Sequence, residues 1–324
     1  MAEPLLELSD LAVHFTVGNA LRGGVKTLKA VDGVTLDVKP GECLGLVGES
    51  GCGKSTLALA IMGLVPPTSG EVSLNGHSLR ARDRMETART VQMVFQDPYA
   101  SLNPRQTVRR TLADPLRLHG VTGKSELADR VMDMMAKVGL RPDHADRYPH
   151  EFSGGQRQRI GIARALILQP KLVICDEPVS ALDVSIRAQI INLLLELKDE
   201  MDLAYILISH DLGVVEHVSD RVAVMYLGRI VEQGGWQEIF ENPRHPYTRA
   251  LIAAIPDPFH RADALAARSK AHGEIPSALN PPPGCPFNPR CPMKADRCTR
   301  ERPLLETVTP GHAAACHFRN SAAG

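Results

Sequence analysis

The chain has 324 residues, and its 37 Lys and Arg residues balance 37 Asp and Glu residues. With 44% hydrophobic and 23% charged residues it has the composition of a globular α/β protein, which excludes a disordered or fibrous chain. A net charge of zero argues against a protein that grips nucleic acid through a broad basic face, so no nucleic-acid partner is expected.

The N-terminus and the apolar runs predict where the chain resides. The first ten residues contain three acidic residues and lack the basic-then-apolar pattern of an export signal. The apolar runs 57–65 and 203–208 are much shorter than the about 20 residues that a bilayer crossing needs. We therefore expect a cytosolic chain whose seven cysteines are reduced or metal-bound, without disulfides.

The predicted elements begin with strands and continue as alternating helices and strands. Apolar periodicity predicts a helix over 126–140 and strands at 5–8, 31–38, 43–47, 171–175 and 204–208. Asn75-Gly76 predicts a tight hairpin turn. The alternation is typical of a doubly wound α/β fold. Frequent prolines after residue 243 place a domain boundary near residue 245.

A phosphate-binding loop is predicted between the strand 43–47 and the helical run 56–63. The residues expected to bind nucleotide are Gly48, Glu49, Ser50, Gly51, Cys52, Gly53, Lys54, Ser55 and Thr56. The glycines let backbone N–H groups surround phosphate oxygens at a helix N-terminus. Lys54 is expected to bridge the β- and γ-phosphates of ATP, and Ser55 to ligate Mg²⁺. A thiol reagent is expected to alkylate Cys52, with ATP protecting it.

Paired carboxylates follow the apolar run 172–175. This arrangement places Asp176 and Glu177 at the C-terminal end of a buried strand, where open α/β sheets bind ligands. Asp176 is expected to hold Mg²⁺, and Glu177 to polarise the attacking water. The predicted catalytic residues are Lys54 and Glu177, together with His210, whose role comes from the resemblance below.

The sequence between these motifs identifies the kind of P-loop protein. Residues 152–156 read Phe-Ser-Gly-Gly-Gln and lead into a helical run over 157–168. Together with Gln96, Asp183 and His210, this pattern resembles the ATPase subunits of ATP-binding cassette (ABC) transporters over residues 5–240. Phe152 departs from the Leu that is common in the family.

The resemblance implies a fold and further site residues. The fold is a P-loop ATPase core, with a RecA-like parallel sheet and an antiparallel β subdomain, in an ABC domain over 1–245. A helical signature subdomain lies at about 97–170, and a Cys/Pro-rich extension at 246–324. The roles implied are the signature for Ser153, Gly154, Gly155 and Gln156, the Q-loop and a Mg²⁺ contact for Gln96, the D-loop for Asp183, the γ-phosphate switch for His210 and adenine stacking for Phe15. A core position is the alternative for Phe15.

The resemblance also implies partners. Two ATP molecules would join this chain head-to-tail to a second ATPase subunit, either a copy or a paralogue, and hydrolysis would separate them. The signature of each chain would then contact the nucleotide held by the other. Two transmembrane permease subunits and an extracytoplasmic solute-binding protein would complete a transporter, with this chain peripheral on the cytoplasmic face of the membrane.

The segment 242–251 resembles the one that follows the core in dipeptide and oligopeptide importers. This similarity implies peptide uptake, with nickel, glutathione or another small solute as alternatives within the same branch. A soluble ABC ATPase of DNA repair or translation, and a GTPase or kinase with the same loop, are the alternatives from other classes.

Four cysteines, Cys285, Cys291, Cys298 and Cys316, lie in the extension among prolines. A segment with few large apolar residues often depends on a bound metal for its stability. The absence of a Cys-x-x-Cys pair weakens a zinc site, and the family resemblance implies a [4Fe–4S] cluster. Four unrelated thiols are the remaining alternative.

Overall fold

The computed structural model describes residues 3–18, 25–81, 83–180, 182–255, 274 and 276–320. The rest of the predicted extension, including 256–273, lies outside the described residues. The strands are β1 (Leu6–Val17), β2 (Lys26–Val38), β3 (Cys43–Val47), β4 (Ser69–Leu74), β5 (His77–Ser78), β6 (Val91–Val94), β7 (Leu172–Asp176), β8 (Ala204–Ile208), β9 (Arg221–Tyr226), β10 (Arg229–Gly235), β11 (Glu306–Thr309) and β12 (His312–Ala314). The helices are α1 (Lys54–Ile61), α2 (Arg84–Thr90), α3 (Pro98–Ser101), α4 (Val108–Leu118), α5 (Lys124–Lys137), α6 (Gly154–Leu166), α7 (Val184–Met201), α8 (Leu212–Val218), α9 (Trp236–Glu241), α10 (Pro246–Ala253) and α11 (Asp296–Arg300). Within the described ranges, no helix is both long and apolar enough to cross a bilayer.

One compact unit, here called the P-loop unit, gathers residues 6–37 and 43–74 with the chain from Ser209 onward. In it β1 pairs antiparallel with β4, with Leu6 opposite Leu74. The parallel pair β3–β9 continues through antiparallel β10 and β12 to β11. All five residues of β3 are buried, as expected for a strand with both faces covered.

The second compact unit, here called the helical unit, is formed mainly by residues 75–208. Strands β6, β7 and β8 are parallel neighbours, and Asp176 at the end of β7 lies opposite Ile208. Helix α5 begins two residues before the predicted run 126–140 and ends three residues before its end. Its buried side chains, Leu127, Val131, Met134 and Met135, are among the residues that the periodicity placed on one face.

Most predicted elements are confirmed, and the differences are instructive. The strand 43–47 and the strand 204–208 have the predicted bounds. Asn75 and Gly76 have φ angles of 50° and 73°, as the predicted hairpin turn requires. Strand β1, however, runs nine residues past the predicted end. The polar Ser9 and Asp10 end the apolar run, but the strand continues beyond an irregularity in its pairing between Ser9 and Ala12.

A buried carboxylate joins the last long strand of the P-loop unit to the part of the chain after residue 243, here called the tail. Glu232 on β10 is fully buried and accepts hydrogen bonds from the backbone N–H groups of Arg244, at 2.6 Å, and His245, at 2.9 Å. His312 on β12 lies 2.8 Å from the same carboxylate through Nε2. These three contacts, here called the Glu232 node, satisfy a group that could not otherwise be buried.

The buried imidazole of His245 makes the stability of the P-loop unit depend on pH. Its Nδ1 accepts a hydrogen bond from the Tyr247 N–H at 3.1 Å, and burial lowers its pKa from the ordinary 6.5 to about 4. The unfolded chain therefore binds more protons between these values, so stability should be complete above pH 6.5. It should fall by up to about 1.4 kcal/mol per pH unit as the pH drops toward 4.

Urea unfolding at several pH values between 4.5 and 7.5 measures this dependence. His245→Asn keeps a helix-capping acceptor but cannot titrate, so its unfolding free energy should vary less with pH. Replacement of the exposed His217 by Asn is the matched control and should leave the slope unchanged. An unaltered slope in the His245 variant would refute the assignment.

Candidate nucleotide-binding site

The predicted phosphate loop connects buried β3 to α1. Gly48 and Gly53 have φ angles of 153° and 112°. A Cβ atom on Gly48 would lie 2.2 Å from the Met225 carbonyl oxygen, and one on Gly53 would lie 2.1 Å from that of Ala30. Only glycine fits at either position, so the loop can fold tightly in front of the helix N-terminus.

The Lys54 side chain binds the backbone of its own loop. Its Nζ donates to the carbonyl oxygens of Gly48, at 2.7 Å, and Glu49, at 3.1 Å, and the side chain is buried. The ammonium group is thus held beside the backbone that would surround phosphate oxygens. Ser55 is exposed on the first turn of α1, where its hydroxyl can serve as a hard oxygen ligand.

Cys52 is less accessible than the sequence alone suggested. Its side chain is buried, Sγ lies 3.7 Å from Lys54 Nζ, and burial raises the pKa of the thiol. Ready alkylation is therefore not expected, because the reactive species is an exposed thiolate. At pH 7.5 we expect iodoacetamide to label Cys52 at least about tenfold more slowly in the folded chain than in urea, measured by peptide mass spectrometry. Equal rates would contradict the burial of this thiol.

In the helical unit, the structure brings two of the predicted residues together. Gln96 Nε2 donates to Glu177 Oε2 at 2.8 Å, although 81 positions separate the residues. Asp176 is nearly buried at the end of β7. Glu177 follows with a φ of 47°, and its N–H donates to the Ile208 carbonyl at 2.9 Å. A non-glycine residue in this conformation carries strain, which is typical of functional positions.

The predicted signature residues form the start of α6. Ser153 is the N-cap, with its Oγ accepting from the Gln156 N–H at 3.3 Å and the Gln156 side chain accepting from the Ser153 N–H at 3.1 Å. This reciprocal arrangement leaves the Ser153 O–H able to donate to an anion. A Cβ on Gly155 would lie 2.6 Å from Ile186 Cγ2, so a side chain would not fit there. Phe152 is buried against His144, with ring centroids 5.3 Å apart.

The remaining predicted residues lie on exposed positions of their own units. Asp183 is the exposed N-cap of α7, and its carbonyl accepts from the Arg187 N–H. His210 is exposed just before α8. Phe15 on β1 is 38% exposed, which is not a core position. Its stacking on adenine stays a prediction.

Two residues at the site were not predicted from the sequence. The Glu49 N–H donates to the Tyr247 hydroxyl oxygen at 2.8 Å, and Arg290 donates to both Glu49 carboxylate oxygens at 2.7 and 2.8 Å. Tyr247 lies in the segment 242–251 and Arg290 between Cys285 and Cys291, and they follow Glu49 by 198 and 241 positions. Neither segment carries a local pattern that indicates contact with the phosphate loop.

The four tail cysteines are close enough to influence one another. Burial, reinforced by the other thiols, raises the pKa of Cys285 to about 12 and that of Cys291 to about 11. Cys285, Cys291 and Cys316 each accept a backbone N–H bond from the second residue after them. Throughout the described part of the chain, however, no group of three or more His, Cys, Asp or Glu residues is arranged to hold a metal ion.

Comparisons with known proteins agree with these observations. Residues 31–180 match the family described as ABC transporter, and residues 231–298 match the one described as oligopeptide/dipeptide transporter, C-terminal region. The chain is 54% identical over 319 residues to the oligopeptide transport ATP-binding protein OppF of Salmonella typhimurium, covering 96% of this chain and 95% of that protein. It is 49% identical over 321 residues to the dipeptide transport ATP-binding protein DppF of Escherichia coli, covering 98% and 95%.

Solved structures show the same fold. The chain superposes with a TM-score of 0.63 on cbiO1 of Clostridium perfringens, part of an ABC transporter complex, at 28% identity over 74% of this chain and 92% of that one. It superposes equally, at 27% identity over 71% and 98%, on a dimeric ATP-binding cassette in a post-hydrolysis state with ADP and phosphate. The predicted α/β cassette fold is therefore confirmed.

Proposed function

The chain belongs to the ATP-binding subunits of ABC transporters, and we propose that its ATP hydrolysis drives the uptake of oligopeptides or dipeptides. The observation that carries the proposal is similarity along nearly the whole chain, including the tail, to ATP-binding proteins of peptide transport. The structure supports the proposal because the loop around Lys54 folds tightly at Gly48 and Gly53, where no other residue fits. The same similarity favours peptide transport over the soluble ATPase, GTPase and kinase alternatives.

We assign phosphate binding to the loop 48–56. Its backbone N–H groups and the α1 N-terminus would bind phosphate oxygens, and Lys54 would exchange its carbonyl contacts for the β- and γ-phosphates. Phe15 would stack on the adenine. Ser55, Gln96 and Asp176 would hold Mg²⁺, which neutralises charge on the phosphates. Their hydroxyl, amide and carboxylate oxygens fit this hard cation, which needs few protein ligands because water and phosphates complete its shell.

We assign hydrolysis to Glu177 with His210. The Glu177 carboxylate would accept a proton from the attacking water, and its contact with Gln96 fixes the orientation of the carboxylate. His210 would bind the γ-phosphate as charge develops there. A water so oriented attacks phosphorus in line with the bond to the leaving ADP.

We further propose a head-to-tail ATPase dimer. The exposed N-terminus of α6 offers Ser153 and two glycines as an anion site, which would contact the nucleotide held by the partner subunit. The exposed Asp183 would lie at the same interface. The similar dimeric cassette supports this assembly, and the partner is either a copy of this chain or a paralogue.

Exposed aromatic side chains flank Gln96 and support contact with membrane subunits. Phe95 is 40% exposed and Tyr99 is 61% exposed, close in sequence to Gln96. We propose that two permease subunits bind here, which places the chain on the cytoplasmic face of the membrane. An extracytoplasmic solute-binding protein would deliver the peptide.

Reconstitution tests the transport function. The chain is purified with its co-purifying membrane subunits, placed in vesicles, and assayed for ATP hydrolysis with a dipeptide, a hexapeptide, Ni²⁺ or glutathione, each with its binding protein. Stimulation by peptides alone supports the proposal. Stimulation by Ni²⁺ or glutathione alone would keep the ATPase role and change the solute.

We also propose that Cys285, Cys291, Cys298 and Cys316 hold a [4Fe–4S] cluster or a zinc ion. Two observations support the proposal: neighbouring thiols raise one another's pKa, and three of them accept backbone N–H···S hydrogen bonds. The described arrangement does not form a complete site, so binding requires the thiols to move together. Anaerobic purification followed by visible absorption and metal analysis decides the matter: absence of both iron and zinc rejects it.

A further inference from the structure

Glu49, the second residue of the phosphate loop, is held at each of its polar groups. Its N–H donates to the Tyr247 hydroxyl oxygen at 2.8 Å, and its carbonyl accepts from Lys54 Nζ at 3.1 Å. Its carboxylate accepts both Nη groups of Arg290 at 2.7 and 2.8 Å. The residue is therefore fixed on the phosphate side by Lys54 and on the outer side by two residues of the tail.

On the tail side, these contacts are largely buried. Arg290 is 8% exposed, and its guanidinium lies 5.8 Å from the ring centroid of Phe287 and 5.9 Å from that of Tyr226. The ring of Tyr247 packs on both aromatic rings, with centroids 4.6 Å from Tyr226 and 5.4 Å from Phe287. A bidentate Arg–carboxylate pair in a buried aromatic setting is stronger and more directional than a surface ion pair.

The loop that presents Arg290 is itself tightly built. The Cys285 N–H donates to the Cys298 carbonyl at 2.8 Å, and the Asn288 side chain donates to the Cys285 carbonyl at 2.8 Å. Gly284 has a φ of 71°, and a Cβ there would lie 2.4 Å from the Cys298 carbonyl oxygen. Arg290 is thus carried by the short segment between two of the clustered cysteines.

We propose that Arg290 and Tyr247 are positioning residues that preorganise the phosphate loop for nucleotide, so that the tail sets the affinity for ATP. A loop already held in its binding conformation loses less entropy when phosphate binds. Neither residue is placed against the reacting atoms, so the effect should appear in ATP binding and not in the chemical step. The inference rests on the proposed role of the loop in binding ATP.

Arg290→Ala tests the inference in the full-length chain. Titration with MgATP in the Glu177→Gln background should show a dissociation constant raised by about tenfold, because a charge-assisted contact to the loop is lost. With Glu177 present, KM for ATP should rise while kcat at saturating ATP is retained. Arg290→Lys keeps the positive charge but cannot donate to both carboxylate oxygens, so its affinity for ATP should lie between those of the unchanged chain and Arg290→Ala.

Three further variants make the result specific. Arg300→Ala removes an exposed arginine of the same tail and should leave ATP affinity unchanged. Glu49→Gln combined with Arg290→Ala should be no weaker than Arg290→Ala alone, because both act through one contact. Tyr247→Phe keeps the ring but removes the acceptor oxygen, and it replaces Arg290→Ala if that variant unfolds.

The outcomes separate this inference from the proposed function. Wild-type affinity in both Arg290→Ala and Tyr247→Phe would overturn the positioning role and leave the ATPase role intact. A wild-type chain that does not bind MgATP would overturn the proposed function itself. Equal losses in kcat and in ATP affinity would show general damage to the fold and also count against positioning.

Discussion

Glu177→Gln is expected to lower the rate of ATP hydrolysis by about 10²–10⁴-fold, the usual contribution of a general base, while ATP still binds. The amide has the size of the carboxylate and tolerates the same backbone conformation, but it cannot accept the proton of the attacking water. The hydrogen bond from Gln96 can be made to its carbonyl oxygen, so the local geometry should persist. Trapped ATP should hold the proposed dimer together.

Phosphate release at saturating MgATP and size-exclusion chromatography with and without nucleotide measure the two effects. Glu196→Gln, on the exposed face of α7 in the same compact unit, is the matched control and should hydrolyse ATP normally. Wild-type turnover by Glu177→Gln would remove the residue from its proposed role. Loss of ATP binding instead would show that its main contribution is to the nucleotide complex.

Glu232→Ala is expected to lower the free energy of unfolding by about 2–4 kcal/mol, at the large end of single-substitution effects, because buried donors lose their acceptor. The change would leave the N–H groups of Arg244 and His245 and the ring of His312 buried without their acceptor. It would also leave a cavity where the side chain was. Glu232→Gln keeps one acceptor oxygen, so its free energy of unfolding should fall less than that of Glu232→Ala.

Guanidinium chloride unfolding followed by circular dichroism measures both variants at pH 7.5. Glu241→Ala, at the exposed end of α9, provides the comparison and should change stability by less than about 0.5 kcal/mol. If Glu232→Ala and Glu241→Ala were equally stable, the Glu232 node would have no structural role. Hydrogen exchange should show the loss first at β12, whose His312 contacts Glu232.

Local patterns predicted much of the fold and most of the candidate site. The strand–loop–helix around Lys54 follows from an apolar run, three glycines and a helical run, all within about twenty neighbouring residues. The N-cap role of Ser153 and the turn at Asn75-Gly76 follow equally from short-range chemistry. In each case the residues that determine the conformation are adjacent in the sequence.

The contacts that tie distant segments together could not be predicted in this way. Glu49 and Arg290, or Glu232 and His312, are polar residues whose partners lie 241 and 80 positions away. A lone glutamate in a sequence is most often a solvated side chain, and nothing beside it indicates burial. The burial of Cys52 is likewise not encoded by the loop sequence alone.

The P-loop unit is assembled from both ends of the chain, and this has a consequence for biosynthesis. Strand β3 emerges from the ribosome early, but its parallel partner β9 comes only after Ser209. At about 5–20 residues per second, the delay is on the order of ten seconds. During that interval the edge of β3 that pairs with β9 is open, so the apolar β3 is a segment of the nascent chain that chaperones would need to protect.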